Sequence, residues 1–254
     1  MMKPTHILSS LGCFALFLLA WEVVPPMAGI PKYIIPTASQ TWTEFLAMIP
    51  RNNLLRHFTS TVTMTLIGFA IGSLFGAAAG YLLGMSPFWE RVLSPYLLAL
   101  QIAPKVAFAP LFIMWFGYNH WPKLLVTVLI VFFPILVNVL QSMRTIDRDQ
   151  INLARAYNMS RAQIFWKIEF PASMPALMAG LRIGATLAVI GVTVGELVGG
   201  NTGLGFLITY GEGQANAAMV FNAIILLTLI GIVLYGLVAA LETRILHYIP
   251  RVQR

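Results

Sequence analysis

Three ionisable residues lie within apolar stretches of the sequence: Glu22, Lys105 and Glu196. A charge at membrane depth is costly, so such residues usually pair, face a cavity or mark a pathway. Lys105 follows Pro104, which interrupts any helix there. Two interpretations stay open: Lys105 attracts an anionic solute while Glu196 balances the charge, or the two form an ion pair that only joins two spans. Glu22 is expected to reach the membrane interface.

Other motifs that could support chemistry are incomplete. The segment GGNTGLG, residues 199–205, lacks the lysine and hydroxyl of a phosphate loop, and no G-x-x-x-x-G-K-[ST] motif occurs in the sequence. We therefore expect a turn on the outer face here, and no nucleotide bound by this chain. His120 has no second histidine or carboxylate at ligand spacing, so no metal site is predicted.

A polar segment between two apolar stretches carries the signals of two short helices and a sharp turn. Asp147 suits a helix start, and the first helix should run to about Tyr157. Asn158 readily adopts the left-handed conformation that ends a helix. Ser160 and Gln163 then form an S-x-x-Q capping box, which predicts the start of a second helix.

The second helix should extend through about Ile168 and end at Pro171, with Pro175 in the first turn of the next span. Within it, Ile164, Phe165 and Ile168 share one face by their i, i+3, i+4 spacing. The segment therefore has an apolar face of its own.

Arg155, Arg161 and Lys167 give this segment a basic edge. It is either a connector on lipid headgroups, with charges that only set topology, or a docking surface for a cytoplasmic partner. A connector needs only a few residues, whereas a folded helix-turn-helix with apolar and basic faces suits a partner. In the docking interpretation, Ile164 and Phe165 supply the buried anchor and the basic residues supply complementary charge.

The amino-acid composition indicates that these residues belong to a membrane protein. Hydrophobic residues make up 58% of the chain and charged residues 10%, with a mean hydropathy of +0.80, which is too apolar for a soluble domain. The net charge of +7 reflects basic residues at span ends rather than a nucleic-acid surface. The predicted fold is all-α, with about six transmembrane helices in a lipid bilayer. The apolar segments are residues 8–24, 58–84, 93–117, 123–143, 176–199 and 219–243.

The distribution of lysine and arginine predicts that both termini are cytoplasmic. With the N-terminus inside, eleven basic residues fall on the cytoplasmic side and four on the other. The cytoplasmic set is Lys3, Arg91, Arg144, Arg148, Arg155, Arg161, Lys167, Arg182, Arg244, Arg251 and Arg254. The opposite set is Lys32, Arg51, Arg56 and Lys123.

Two regions follow from this topology. Residues 1–57 are predicted to form the first span and an extracytoplasmic surface segment, with a short interfacial helix from Ala38 to Met48 after Pro36 and Thr37. Residues 58–254 form the core, with the cytoplasmic loop at 144–175. In the second span glycine recurs every fourth residue, which favours close approach of another helix. These glycines are Gly68, Gly72, Gly76, Gly80 and Gly84.

The polar segment resembles the cytoplasmic loop of binding-protein-dependent ATP-binding-cassette (ABC) importer permeases, whose signature is approximately E-A-A-x-x-x-G, nine residues, I, two residues, L-P. The equivalent positions are Asn152, Leu153, Ala154, Asn158, Ile168, Phe170 and Pro171. Asn152 replaces the usual Glu, and Asn158 replaces the usual Gly while keeping the turn. The segments YIIPTASQTW, APLFIMWFG, FFPILVNVLQSMRTID and GELVGGNTGLGFLI extend the resemblance over most of the chain. They resemble the branch that serves nitrate, taurine and other sulfonates, or pyrimidine precursors of thiamine.

The resemblance implies a type I ABC importer-like permease in a bacterial inner membrane. It would act as a homodimer with two ATPase subunits, which hold ATP and Mg, and with an extracytoplasmic substrate-binding protein. No cofactor is implied in this chain. The helix from Ser160 to Ile168 would couple to the ATPase, and Lys105 and Glu196 are the translocation-pathway candidates. The residues implied in ATPase coupling are Asn152, Ala154, Arg155, Asn158, Ser160, Arg161, Ile164, Phe165, Ile168 and Pro171.

Two other classes of function remain as alternatives. An ATP-independent secondary transporter or channel would require an inverted repeat and would leave the polar loop unexplained. A membrane-bound enzyme would require a nucleophile and base, or a metal constellation, at membrane depth. We expect no enzymatic activity in this chain, with ATP hydrolysis on a separate subunit.

Overall fold

The protein is described over residues 4–248 by a computed structural model. Within these residues three short helical segments are not α-helical: 3-10 helices at Lys105–Phe108 and Leu246–Tyr248, and a π-helical turn at Phe165–Glu169. The all-α prediction is confirmed. In chain order the α-helices are α1 (Pro4–Met27), α2 (Ala38–Arg51), α3 (Leu54–Gly84), α4 (Pro87–Ile102), α5 (Ala109–Phe116), α6 (His120–Thr145), α7 (Arg148–Ala156), α8 (Arg161–Ile164), α9 (Phe170–Gly199), α10 (Leu204–Gly213) and α11 (Ala217–Ile245).

Five helical stretches of the described chain are long and apolar enough to cross a membrane. They are Ser9–Met27, Leu54–Gly84, His120–Thr145, Arg161–Gly199 and Ala217–Ile245. A sixth span arises if α4 and the segment Lys105–Phe116 count as one, although they are bent by 81°. The break falls at Pro104, whose ring removes a backbone donor. The prediction of about six spans, with the third interrupted, is confirmed.

The centre of the bundle is formed by α3, α6 and α9, which approach closely because glycines line their contacts. A Cβ added at any of the five regularly spaced glycines of α3 would lie 2.5 to 2.8 Å from an atom of α6. The partner of the predicted small-residue face is therefore another helix of the same chain. Gly191 and Gly195 of α9 face Thr127 and Lys123 on α6 in the same way.

The interfacial helix α2 begins at Ala38, directly after the predicted start signal at Pro36 and Thr37. The side chain of Thr37 accepts a hydrogen bond from Gln40 N, and Gln40 reciprocates, which completes a capping box. The helix continues to Arg51, three residues beyond the expected end at Met48. Glu22 of α1 accepts hydrogen bonds from Ser39 N at 2.9 Å and Ser39 Oγ at 2.7 Å. Glu22 thus joins α1 to the start of α2.

The polar loop leads into one long helix, which corrects the sequence analysis. Pro171 was expected to end the second loop helix, but the helix is continuous over the 39 residues from Arg161 to Gly199. Phe170 N donates to Phe165 O, five residues back. This wider, π-helical turn accommodates Pro171, which has no backbone N–H to donate. Pro175 consequently lies inside the helix rather than in its first turn. At 1.5 Å per residue the helix is about 58 Å long, well beyond the roughly 30 Å hydrocarbon core.

The end of the bundle opposite the polar loop is closed by α2 and α10. Asn216 Nδ2 donates to Glu44 Oε1 at 2.8 Å, and Asn222 Nδ2 donates to Thr41 O at 2.9 Å, which ties the start of α11 to α2. A buried apolar cluster lies beneath these helices. Its members are Met48, Leu54, Val189, Leu204, Leu207, Met219, Ala223, Leu227 and Ile230.

Candidate functional site

The polar loop folds as its local signals predict. The side chain of Asp147 caps α7 by accepting from Asp149 N at 2.8 Å. Asn158 has a φ of 55°, the left-handed conformation expected after the first helix. Gln163 N donates to Ser160 Oγ at 3.3 Å and Ser160 N donates to Gln163 Oε1 at 2.8 Å, so the capping box is present. The helix-turn-helix is therefore an ordered unit.

Burial divides the residues implied in coupling into three groups. The exposed group is Asn152, Arg155, Asn158, Ser160 and Arg161. The half-buried group is Phe165, Ile168 and Pro171. The buried group is Ala154 and Ile164. The exposed residues present a polar and basic surface, whereas the others hold the loop to the rest of the chain.

Ile164 and Phe165, the pair expected to anchor a docking partner, pack against other parts of the same chain. Ile164 is only 5% exposed, so its surface is already covered by its own chain. The ring of Phe165 lies 5.4 Å from that of Tyr81 on α3, edge to face, and 5.9 Å from that of Phe170. Ser173 Oγ lies 3.0 Å from Tyr81 OH. These contacts fasten the loop to α3 and α9.

Three large apolar side chains of the loop are exposed instead. Leu153 is 60% exposed, Tyr157 76% and Trp166 62%. Leu153 and Tyr157 are spaced i, i+4 along one face of α7 and its end. Trp166 follows Ile164 by two residues, which places it across the helix from that buried side chain. That spacing is the signal that identifies Trp166, once Ile164 is known to face inward.

The comparisons with known proteins identify the family. Residues 72–247 match the family described as the binding-protein-dependent transport system inner membrane component. The chain belongs to this family. It is a permease subunit of an ABC importer, as the sequence predicted.

Relatives of this permease cover nearly its whole length. It is 34% identical to the formylaminopyrimidine transport permease protein ThiX of Halalkalibacterium halodurans, over 92% of this chain and 93% of that protein. It is 35% identical to the riboflavin transport system permease protein RibX of Chloroflexus aurantiacus, over 92% and 87%. The taurine transport system permease protein TauC of Escherichia coli is 26% identical, over 96% and 90%.

A solved structure shares the fold of this permease. An inward-facing structure of the MetNI methionine ABC transporter superposes with a TM-score of 0.66, covering 76% of this chain and 95% of the matched chain at 20% identity. This likeness supports the type I importer fold.

The two pathway candidates of the permease lie apart, and Lys105 is not the partner of Glu196. Lys105 Nζ donates to Gln101 O at 2.6 Å and lies 4.8 Å from the centre of the Phe133 ring. Glu196 instead lies 3.8 Å from the ammonium of Lys123, and both side chains are almost completely buried. The ion-pair interpretation was right about pairing for Glu196 and wrong about the lysine.

Sequence reasoning missed Lys123, because a lysine near a span end is normally explained by topology. Its backbone is held against α9 by Gly195, where a Cβ would lie 2.4 Å from Lys123 Cα. The signal for this contact is the density of glycines around Glu196. Glycines next to a carboxylate in the sequence indicate that another backbone segment packs closely there. A carboxylate at such a place becomes enclosed by that backbone.

Proposed function

We propose that this permease couples to an ATPase through the loop at 144–175, which receives the motion of ATP-driven closure. The observation that carries the proposal is the continuity of the helix from Arg161 to Gly199, which joins the exposed loop directly to a membrane span. Because Phe165 and Ser173 fasten the loop to Tyr81, the loop cannot move without α3 and α9. A displacement of the loop is therefore transmitted to the helix bundle.

The docking surface is formed by Leu153, Tyr157 and Trp166, with Arg155 and Arg161 beside them. Large aromatic side chains that become buried in an interface usually contribute most of the binding energy, and rim charges set orientation. All five side chains are exposed in the isolated subunit. ATP and Mg are assigned to the partner ATPase subunit, and the sequence of this permease contains no phosphate loop.

The translocation pathway runs along the face that carries Lys105. Phe133, whose ring lies beside the lysine, is near the middle of α6, so Lys105 lies at about mid-depth of the membrane. A cation at that depth faces water or protein rather than lipid. Gln101, whose backbone oxygen accepts from Lys105 Nζ, also lines a cleft of about 230 Å³ between α4 and α6, together with Gln141. A second copy of the chain opposite this face would enclose the pathway as a homodimer.

The solute is a small polar molecule, either an anion like nitrate, taurine or another sulfonate, or a pyrimidine-type nutrient. Relatives are named for formylaminopyrimidine, aliphatic sulfonates, taurine and nitrate transport. Lys105 provides a positive charge and Gln101 an amide, which serve an anion or a hydrogen-bonding heterocycle. A substrate-binding protein delivers the solute to the opposite end from the loop.

The binding protein docks on the polar outer surface between α2 and the turn after α10. A cleft of about 450 Å³ there is lined by Lys32, Ser39, Gln40, Glu44 and Asn216, among others. Polar, open clefts of this kind suit a transient partner better than a permanent subunit.

Both termini lie on the ATPase side. The loop residues Arg144, Arg148, Arg155 and Arg161 support this orientation by the positive-inside rule. Lys3, Arg251 and Arg254, which also entered the charge count, lie outside the described residues.

Co-purification with the cognate ATPase in detergent tests the proposal. The native chain should retain the ATPase, and a Leu153→Asp, Trp166→Asp double variant should lose it while remaining folded and inserted. Gln150→Asp, on the exposed surface of the same helix as Leu153, is the matched control and should behave as native. If the double variant retains the ATPase as well as the native chain does, or if neither retains it, the loop is a surface connector and the proposed role is wrong.

A further inference from the structure

The N-terminus of α10 is capped by side chains from other helices. Its own N-cap is Gly203, which has no side chain to offer. Leu204 N donates to Thr61 Oγ1 of α3 at 2.8 Å, and Gly205 N donates to Glu196 Oε2 of α9 at 2.9 Å. Free amides at a helix start normally find a local Ser, Thr, Asp or Asn. Here Thr61 lies 143 residues from Leu204 in sequence, and Glu196 lies nine residues from Gly205.

A third acceptor completes the set. His57 Nδ1, at the start of α3, lies 3.0 Å from Gly203 N and 3.2 Å from Gly203 O, and it accepts from Gly203 N when the ring proton is on Nε2. Its ring also stacks on that of Phe206 in α10, with centroids 5.5 Å apart and planes inclined by 10°. The start of α10 thus contacts two side chains of α3, His57 and Thr61, and one side chain of α9, Glu196.

Glu196 and Lys123 tie this capping to α6. Thr61 Oγ1 lies 3.0 Å from both oxygens of Glu196, so the hydroxyl can donate to the carboxylate while it accepts from Leu204 N. Lys123 Nζ lies 3.8 Å from Glu196 Oε1 and donates to Thr202 O at 3.3 Å. The side chains of Lys123 and Glu196 are 2% and 0% exposed. One buried carboxylate therefore contacts three other helices.

The backbone around Glu196 has the shape of its carboxylate. Gly203 has a φ of 118°, and a Cβ there would lie 2.0 Å from Glu196 Oε1. At Gly205 a Cβ would lie 2.7 Å from Glu196 Cβ. The turn at 200–203 and the start of α10 can therefore close over Glu196 only with glycine at positions 203 and 205.

Stability alone does not account for a charged pair at this place. Replacing a buried ion pair by apolar residues of similar size is often neutral or stabilising. The burial of Leu204 and Leu207, 0% and 1% exposed, already attaches α10 to the core. What the pair adds is a set of directional contacts at the helix start, because each hydrogen bond has a preferred distance and angle.

We propose that Glu196 and Lys123 are positioning residues that form a joint between α10 and α9. When a partner docks on the outer surface and displaces α10, the joint transmits that displacement to α9. The helix that contains α9 continues without a break into the loop at 144–175. The inference rests on the proposed function for its partners at the two ends. The joint itself is a property of this chain.

The joint can be tested in the isolated permease in nanodiscs by the reactivity of a cysteine with a membrane-impermeant maleimide. Cys13 is first replaced by Ser, and Thr202→Cys reports on the turn over Glu196. Asn201→Cys, at an exposed neighbouring position, is the control for general reactivity. The test variant is Lys123→Met with Glu196→Leu, which removes both charges and keeps apolar volume.

We expect labelling at position 202 to become about tenfold faster in the Met and Leu double variant, because the turn then opens locally. Labelling at position 201 should not change. A rate at position 202 equal to that of the native chain overturns the proposal, since packing alone would then hold α10. If this variant does not fold, Lys123→Met with Glu196→Gln decides in the same way, and its rate should lie between native and tenfold.

A functional readout separates positioning from a merely structural role. In the reconstituted importer, the double variant should keep its ATPase subunits and their basal ATP hydrolysis but lose stimulation by the binding protein. Unchanged stimulation overturns the role of the joint in transmission. If the native chain retains no ATPase at all, the proposed function fails, and the labelling rates still decide whether Glu196 and Lys123 hold α10.

Discussion

Substituting Gly76 by alanine tests the close contact between α3 and α6 on which the bundle depends. The added Cβ would lie 2.6 Å from Phe132 O and 3.2 Å from Ile135 Cβ. The first of these is a backbone atom, which cannot rotate away, and the distance is about 0.8 Å short of the 3.4 Å at which ordinary contact begins. Overpacking of this kind costs about 1–3 kcal/mol. Alanine is better than glycine in a helix by about 1 kcal/mol, which offsets part of that cost.

The matched control is Gly236→Ala in α11, where a Cβ would meet nothing within 4 Å. This control should gain up to about 1 kcal/mol from helix propensity alone. The free energy of unfolding of Gly76→Ala should therefore be lower than that of Gly236→Ala by about 1–3 kcal/mol. Unfolding by a denaturing detergent in mixed micelles, followed by circular dichroism, measures the difference. If Gly76→Ala is as stable as Gly236→Ala, α3 and α6 are not in contact along the glycine face.

Three further predictions concern the loop and the pathway. Ile164→Ala should lower the free energy of unfolding by about 2–5 kcal/mol because it leaves a cavity, whereas Trp166→Ala should change stability little and weaken ATPase binding by about 2 kcal/mol, roughly 30-fold. Thermal unfolding measures the stability of each variant, and titration with the ATPase measures its binding. If Ile164→Ala weakens ATPase binding and Trp166→Ala does not, Ile164 is the docking anchor. Lys105→Met should reduce solute uptake into proteoliposomes while ATPase docking is retained, and Lys105→Arg should preserve most of it; native uptake by the Met variant would exclude Lys105 from the pathway. Asn158→Gly should keep the loop as resistant to proteolysis as the native chain, but Asn158→Val should cost about 1–2 kcal/mol through left-handed strain, and equal cleavage of both would contradict the importance of this turn.

Features decided within a few residues of sequence could be predicted. The helix start after Pro36 and Thr37, the capping box at Ser160 and the left-handed turn at Asn158 all appear as expected. Each depends on hydrogen bonds or sterics within one helical turn, and residue type carries that information. The break at Pro104 belongs to the same class.

Pro171 shows where local rules stop. Proline normally ends a helix because it lacks a donor and its ring meets the preceding turn. Here one π-helical turn at Phe165–Glu169 absorbs both effects, and the helix continues to Gly199. The packing of Phe165 and Phe170 against Tyr81, more than eighty residues earlier in the chain, stabilises that turn. Contacts so distant in sequence cannot be inferred from a single stretch.

The pairing of Glu196 with Lys123 rather than Lys105 follows from the register of two packed helices. Lys105 has every local mark of a functional cation, since it lies beside a helix break in an apolar span. Lys123 has none, but Gly195 lets α9 approach until its backbone touches that of Lys123. The position of Glu196, one residue after Gly195, then brings the carboxylate to the same level as the lysine. Choosing the partner of a buried charge therefore requires knowing where the backbones meet, and in this chain the glycines mark that place.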